Sequence, residues 1–293
     1  HFEITSCHFK ENKGSEQKMT HSILYIEMNE EAPVLSSCTF EDNAGASSLV
    51  LNVKGNVIIN EFAFVDYKDA TYTPLVVLNG WSIKNGEAIF EKCNFSSIEN
   101  SQCIHSSTKG FEDDLPDKSS IQVNGCNFKN VKISDKNALE FNGGSCLFVV
   151  YHNTVITGCS FKDTLSPKSG GAIYANAEST DIKDCEFESC ISLVDSEDED
   201  KFSGHGGAIY LDASGQENNE LIEGNRFINC QSTRTGGALF VYCNDYKGKE
   251  DEASKFINVI HVNNCTFTNC KSNEQGGAIS SGIKIDDKKV DGD

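Results

Sequence analysis

The chain has 293 residues and a formal net charge of −19, from 44 acidic and 25 basic residues. This balance argues against a nucleic-acid-binding protein, because contact with phosphates needs a basic patch, and against docking on anionic lipid. No apolar run approaches the ~18–20 residues of a transmembrane helix. The chain opens directly into repeated sequence with no signal peptide, so we expect a processed chain or a fragment of a longer one.

A Cys-x-Phe motif recurs along the whole chain. Seven copies begin with cysteine, and two degenerate copies begin with Phe62 and Asn225, so nine copies end in phenylalanine. The nine phenylalanines are Phe9, Phe40, Phe64, Phe95, Phe128, Phe161, Phe187, Phe227 and Phe267. An apolar residue stands three positions before each copy, and the residue between Cys and Phe is polar in eight of the nine. Cys and Phe therefore share the buried face of a short strand, and the phenylalanines form a predicted core ladder.

A Gly-Gly-Ala segment precedes the later copies of this motif. It occurs at Gly170–Ile173, Gly206–Ile209, Gly236–Leu239 and Gly276–Ile279. We expect a strand here, with the glycine pair forming a tight corner or allowing a close backbone approach.

The spacing between Cys-x-Phe copies varies from 24 to 40 residues. This irregularity argues against a propeller or a helical repeat, whereas a parallel β-helix tolerates loops of different length between fixed strands. The predicted fold is therefore all-β: one right-handed parallel β-helix of about nine turns over residues 1–283, with a polar tail over 284–293. The polar insertions 107–120, 195–203, 213–219 and 244–254 are predicted surface loops.

The Gly-Gly-Ala-Ile segments, together with Phe-x-x-Asn at Phe9–Asn12 and Phe40–Asn43, resemble the repeat of the polymorphic outer-membrane proteins of chlamydiae and of similar trichomonad proteins. Later turns carry Cys190, Cys230 and Cys270 in place of the asparagine. The resemblance covers nearly the whole chain, most firmly residues 155–281. It implies a right-handed β-helix displayed at a cell surface, with adhesion as the usual role.

The 13 cysteines leave two interpretations open. Cysteine at an inward position packs as a small hydrophobic residue, but stacked neighbours are also close enough in Cα separation for disulfides between turns. Cys190, Cys230 and Cys270 are the best disulfide candidates, because a strand end has more freedom. Zinc is disfavoured because ladder positions do not converge on a tetrahedron, and we expect no metal or other cofactor.

Two features are candidate surface sites. The N-glycosylation sequons at Asn94 and Asn264 are predicted to face solvent and favour a secretory route. Tyr174, Tyr210 and Phe240 each follow an aliphatic residue that points inward, so they predict an exposed aromatic stripe that holds sugar rings or an apolar partner. The alternative is that the insertion loops fold over this stripe.

Catalytic and calcium sites have less support. Gly204-His205-Gly206 resembles a polygalacturonase motif, but the aspartates that it needs on the preceding turns are missing. The acidic run 195–200 is more typical of a solvated loop than of a calcium site, because a linear run does not converge on an ion. We therefore predict no catalytic residue and no metal ligand.

The first functional hypothesis is a non-enzymatic β-helical adhesin or structural protein, secreted or on the cell surface. Its expected partner is a protein or glycan of a host or neighbouring cell, or further copies of itself, with no nucleic acid and no direct insertion into membrane. A carbohydrate-active β-helix enzyme, a polysaccharide lyase or glycoside hydrolase, is an alternative that needs acidic residues aligned on the outer face. An intracellular scaffold or filament component is another, which free thiols and absent glycans would favour.

Overall fold

The protein is described by a computed structural model over residues 2–14, 22–28, 33–53, 55–68, 73–79, 86–107, 120–134, 143–150, 153–177, 179–194, 203–213, 219–244 and 259–284. These ranges contain 30 β-strands, and the pairings between them are parallel. The strands form three sheets, and each turn of the chain adds one strand or more to every sheet. The predicted all-β parallel β-helix of about nine turns is confirmed.

Sheet 1 contains the strand that precedes each Cys-x-Phe motif. Its strands are β1 Glu3–Thr5, β4 Val34–Ser36, β7 Val57–Asn60, β10 Glu87–Glu91, β13 Ser120–Asn124, β16 Asn153–Thr157, β19 Thr180–Lys183, β23 Asn219–Glu223 and β27 Val259–Asn263.

Sheet 2 contains the Cys-x-Phe strands. They are β2 His8–Lys10, β5 Thr39–Glu41, β8 Ala63–Tyr67, β11 Asn94–Glu99, β14 Asn127–Lys132, β17 Ser160–Ser166, β20 Glu186–Glu188, β24 Arg226–Ile228 and β28 Thr266–Thr268. Three short strands extend it, β21 Ile191–Ser192, β25 Gln231–Ser232 and β29 Lys271–Ser272.

Sheet 3 contains the Gly-Gly-Ala strands and their counterparts in the earlier turns. They are β3 Ser22–Met28, β6 Ser47–Val53, β9 Val76–Asn79, β12 Ile104–Ser107, β15 Leu147–Val150, β18 Ile173–Asn176, β22 Ile209–Asp212, β26 Leu239–Asn244 and β30 Ile279–Lys284. The predicted polar tail beyond Lys284 lies outside the described residues, as do the predicted surface loops apart from their ends.

The phenylalanine of each Cys-x-Phe motif stacks on that of the next turn. Neighbouring ring centroids are 4.6–5.1 Å apart and the rings are nearly parallel along the whole series. All are fully buried except Phe9 and Phe267, which lie in the first and last described turns and are partly buried. The predicted core ladder is thus the centre of a hydrophobic core that runs the length of the coil.

Two kinks shape each turn around the motif. The residue before the cysteine and the residue two positions after the phenylalanine both have positive φ, as Asp184 (53°) and Ser189 (54°) show. The second kink allows side chains three positions apart to face the same side, so Phe187 and Cys190 are both buried. Most residues at the kinks are Gly, Asn, Asp or Ser, since they reach this left-handed conformation with the least strain.

Asparagine and cysteine side chains at the kinks bind the backbone of the preceding turn. The Asn225 Oδ1 atom accepts a hydrogen bond from the Cys185 amide at 2.8 Å, and its Nδ2 donates to the Ile182 carbonyl at 2.7 Å. The Cys159 thiol makes the same pair of contacts with greater lengths. It accepts from the Cys126 amide at 3.4 Å and donates to the carbonyl of Val123 at 3.3 Å.

The second kink repeats this arrangement. Asn43 accepts from the amide of Asn12 and donates to the carbonyl of Phe9, both at 2.9 Å. Cys190 donates to the equivalent carbonyl of Phe161 at 3.5 Å. Asparagine occupies this position in the first two turns and cysteine in the last three, and each side chain can both donate and accept a hydrogen bond.

All 13 cysteines are free thiols in the structure, which is the first of the two interpretations above. Contacts with the thiols of Cys159 and Cys93, and then burial, raise the pKa of Cys126. Burial likewise raises the pKa of Cys38. Cys126 and Cys38 therefore keep the S–H with which they donate to the carbonyls of Phe90 and Ile4.

The glycine pairs occupy the corner that leads into sheet 3, as predicted. The first glycine of each pair has φ between 62° and 67°. The second lies directly on the next turn, where a Cβ on Gly207 would overlap the carbonyl oxygen of Gly237. Only a residue without a side chain allows the backbones to approach so closely.

Candidate functional site

The outer face of sheet 2 carries the residue between Cys and Phe of every motif. These residues follow one another in register across nine turns: His8, Thr39, Ala63, Asn94, Asn127, Ser160, Glu186, Arg226 and Thr266. Successive side chains are therefore spaced by ~4.8 Å along the coil.

Carboxylates on this face contact basic side chains of a neighbouring turn. The pairs are Lys10–Glu41 at 2.7 Å, His8–Glu41 at 3.0 Å, Lys162–Glu188 at 2.7 Å and Arg226–Glu186 at 2.8 Å. The hydrogen bond from Lys10 holds the pKa of Glu41 below its usual value. These contacts connect adjacent turns on the outer face.

An open groove of about 580 Å³ crosses this face between its fourth and sixth turns. Its lining residues are Ser96, Ser97, Lys129, Asn130, Lys132 and Asp163. The three strands beneath it, β11, β14 and β17, have 6, 6 and 7 residues and continue past the second kink, where φ is 54–57°. Phe128 and Val131 on either side of the kink point inward, which leaves both lysines on the outer side.

The groove offers unpaired cations next to amides and hydroxyls. Lys129 and Lys132 are exposed, and neither has a hydrogen-bond or ion-pair partner in the part of the chain that the structure describes. Beside them, Asn127 Nδ2 donates to Asn94 Oδ1 at 2.8 Å, and Asn94 Nδ2 donates to Ser96 Oγ at 3.3 Å. The groove can therefore bind an anionic ligand that also has hydroxyl groups.

The predicted aromatic stripe is wrong in one respect, its exposure. Tyr174, Tyr210 and Phe240 do point away from the core, and their ring centroids stack at 4.9 and 5.4 Å. However, their exposed fractions are only 7%, 2% and 7%. The column continues through Phe148 and His105 on earlier turns, so it forms a second hydrophobic cluster. So large a continuous apolar area is unfavourable in water, and the folded chain covers it.

Two histidines belong to this covered column. His105 stacks on Phe148 at 4.9 Å and contacts Gln102 at 2.9 Å, and burial lowers its pKa to about 3. His205, from the polygalacturonase-like motif, stacks on Phe240 at 4.6 Å and lies 2.8 Å from the hydroxyl of Thr235. These contacts give both rings a role in packing the outer side of sheet 3.

The two sequons differ in their surroundings. Asn264 is exposed at a kink with φ of 52°. Asn94 is half-buried, and its amide takes part in the hydrogen bonds beside the groove. Both side chains lie on the outside of the coil, and their glycosylation stays a prediction.

Sheet 1 contains a buried carboxyl group that was not predicted from the sequence. Glu220 is fully buried, and neither of its carboxylate oxygens has a hydrogen-bond partner in the described part of the chain. Burial raises the pKa of Glu220 to about 7, and the proximity of Thr180 offsets this only in part. The inward direction of Glu220 could have been predicted, because Glu220 stands two residues before the inward Ile222 and therefore lies on the same face of the strand.

No group of three or more His, Cys, Asp or Glu side chains is arranged to hold a metal ion within the described ranges. The acidic run 195–200, which we considered for calcium, lies outside them. No helix in the described part of the chain is long and apolar enough to cross a membrane.

The chain matches no protein-family model, no curated protein and no solved structure. The resemblance to the polymorphic outer-membrane repeat therefore stays a prediction from the motifs.

Proposed function

We propose that this chain is a non-enzymatic adhesin or structural protein, secreted or displayed at a cell surface, whose β-helix supports a binding face on sheet 2. The observation that carries this proposal is the outer face of sheet 2, a polar column in register over nine turns with an open groove at its middle.

The interior makes this face rigid. Stacked phenylalanines fill the core, and the kink side chains tie each turn to the one before, as Asn225 does with Cys185 and Ile182. A binding surface that is ordered before it meets its partner loses little conformational entropy on association. Such a support suits adhesion, in which many spaced contacts act together.

Two carboxyl groups of shifted pKa, Glu41 and Glu220, give no support to acid–base catalysis at the open face. A hydrolase of the alternative class needs a carboxyl of raised pKa at its open face. On sheet 2 the pKa of Glu41 is lowered by its hydrogen bond from Lys10. Glu220, whose pKa is raised to about 7, points into the core, where a polysaccharide cannot reach it.

An intracellular scaffold is the second candidate, and the thiols are the observation that favours it. All 13 cysteines are free, and free thiols persist in reducing compartments. The mass of the intact native protein, alkylated without reductant, separates the two locations. N-glycans at Asn94 and Asn264 support the secretory route, whereas their absence together with 13 alkylated cysteines after denaturation supports the scaffold.

A second experiment tests adhesion itself. Beads coated with the chain are expected to attach to cells, and soluble chain should compete for the same sites. The same preparation is incubated with acidic and neutral polysaccharides, and newly formed chain ends are measured. Release of chain ends that Glu186→Gln or Glu188→Gln abolishes would contradict the proposal and establish the enzyme instead.

A further inference from the structure

We infer that the groove lined by Ser96, Ser97, Lys129, Asn130, Lys132 and Asp163 binds an acidic glycan, a chain of sugars that carry carboxylates. This inference rests on the proposed function, because it names the place on the adhesive face and the chemical class of its ligand.

The lining of the groove carries a net positive charge. Its lining contains the ammonium groups of Lys129 and Lys132, which have no partner among the described residues, and one carboxylate, Asp163. Glu99, in register with Lys132 on the neighbouring strand, lies outside the lining. A second groove of about 560 Å³ lies at the same kink near the first turns. Its charged residues are balanced, with Glu11 and Asp42 against Lys13 and Lys68. In a chain of net charge −19, the central groove is therefore a local site for an anion.

The neutral groups of the groove indicate the rest of the ligand. Ser96, Ser97 and Asn130 line it, and the Asn94–Asn127 amide pair adjoins it. Hydroxyls and amides both donate and accept hydrogen bonds, as sugar hydroxyls do. Among the described residues, the lining of the groove is entirely polar or charged, so it offers no apolar pocket for the anchor side chain of a peptide.

The spacing of the turns suits a linear sugar chain. Ser96 and Lys129 are paired in the register between β11 and β14, and Lys162 continues their column on β17. These groups repeat at ~4.8 Å along the coil, close to the length of one sugar unit. A glycan lying along the axis thus meets a new set of side chains at each turn.

The overall negative charge limits this binding without preventing it. The Debye length is ~8 Å at physiological ionic strength, so carboxylates several turns away act weakly on a ligand in the groove. We expect an affinity that falls as salt is added, because the lysine contacts are exposed to solvent.

The test is a binding titration with purified oligogalacturonate of about ten sugars, at about 50 mM salt. The Lys129→Gln/Lys132→Gln double variant should bind about tenfold or more weakly, since it removes both charge-assisted contacts. Lys129→Arg/Lys132→Arg keeps both charges and should retain binding. The matched control is Lys183→Gln/Lys271→Gln, which removes two charges outside the groove and should stay within about twofold of wild type.

The inference is overturned if oligogalacturonate does not bind, if the Lys129→Gln/Lys132→Gln variant binds it equally well, or if the control variant loses as much binding. Oligothymidylate is run in parallel, and binding as tight as that of oligogalacturonate also overturns it, because any polyanion then suffices.

The bead assay keeps this inference separate from the proposed function. A titration that fails while the chain still attaches to cells refutes the glycan groove and leaves the adhesin standing. Oligogalacturonate binding by a chain that attaches to no cell refutes the adhesin alone.

Discussion

Replacement of Glu220 by glutamine is expected to stabilise the protein at neutral and alkaline pH. Glu220 is fully buried in the core, and its pKa is raised from 4.5 to about 7. The folded state therefore holds the Glu220 proton more tightly than the unfolded chain does. The stability that this group contributes is fully present below about pH 4.5 and is lost as the pH rises through about 7.

The magnitude follows from the two pKa values. Their difference, 7 minus 4.5, corresponds to about 3 kcal/mol at ~1.4 kcal/mol for each tenfold change in proton affinity. Glutamine is neutral and has the shape of the protonated glutamic acid. Glu220→Gln should match wild type near pH 4 and exceed its free energy of unfolding by about 3 kcal/mol near pH 8.

Urea unfolding of both proteins between about pH 4 and pH 8.5 measures this difference. Glu223→Gln is the matched control, because the same chemical change is made at the outward end of the same strand, β23. Its effect should stay within about 0.5 kcal/mol at every pH. A Glu220→Gln variant whose stability relative to wild type does not change with pH, or one that is less stable at pH 8, would refute the buried, unpaired carboxyl.

The remaining predictions concern the core and the corners. Asn225→Cys should cost less than about 1 kcal/mol, whereas Asn225→Leu should cost about 2–4 kcal/mol because the Cys185 amide and the Ile182 carbonyl are left unpaired. Equal costs in urea unfolding would contradict the shared role of the two side chains. Phe187→Ala should lower the free energy of unfolding by about 3–5 kcal/mol, against less than about 1 kcal/mol for the outward Glu186→Ala. A small loss of stability in Phe187→Ala would contradict the placement of this ring in the core. Gly207→Ala should lower stability by more than Gly158→Ala. A Cβ at position 207 meets the Gly237 carbonyl, whereas a Cβ at position 158 meets open space. Gly158→Ala should therefore cost only about 1 kcal/mol, which its φ of 61° imposes on a residue with a side chain. Thermal unfolding of the two variants in parallel tests that order.

The kinks separate the side-chain directions that the sequence predicts from those that it does not. The inward directions of Ile182 and Phe187 follow from period-2 alternation, each within its own short strand. The inward direction of Cys190 does not, because it depends on the positive φ of Ser189 between the two strands. The equivalent kink at Asn130 places Lys129 and Lys132 together on the outer side, so the groove was not predicted from the sequence.

The outward columns show that the local sequence pattern did not predict solvent exposure. Tyr210 and Asn127 both alternate with inward residues, and alternation assigns each to the outside of its sheet. Tyr210 is nevertheless buried, whereas Asn127 is partly exposed beside the groove. Alternation defines the side of a strand, but solvent exposure depends on which other parts of the chain pack against that side.

The amino-acid sequence by itself determined the repeat, the strands, the inward phenylalanines and the glycine corners, because these depend on side-chain chemistry and backbone conformation within a single turn. The tertiary structure alone decided which residues of different turns meet. Loops of unequal length separate those turns, so only the stacked coil pairs Lys162 with Glu188, places Asn225 against Cys185 and covers the aromatic column. It also leaves Glu220 with no hydrogen-bond partner among the residues that the structure describes. These contacts join residues 26 or more positions apart along the chain, a distance over which local sequence pattern carries no register.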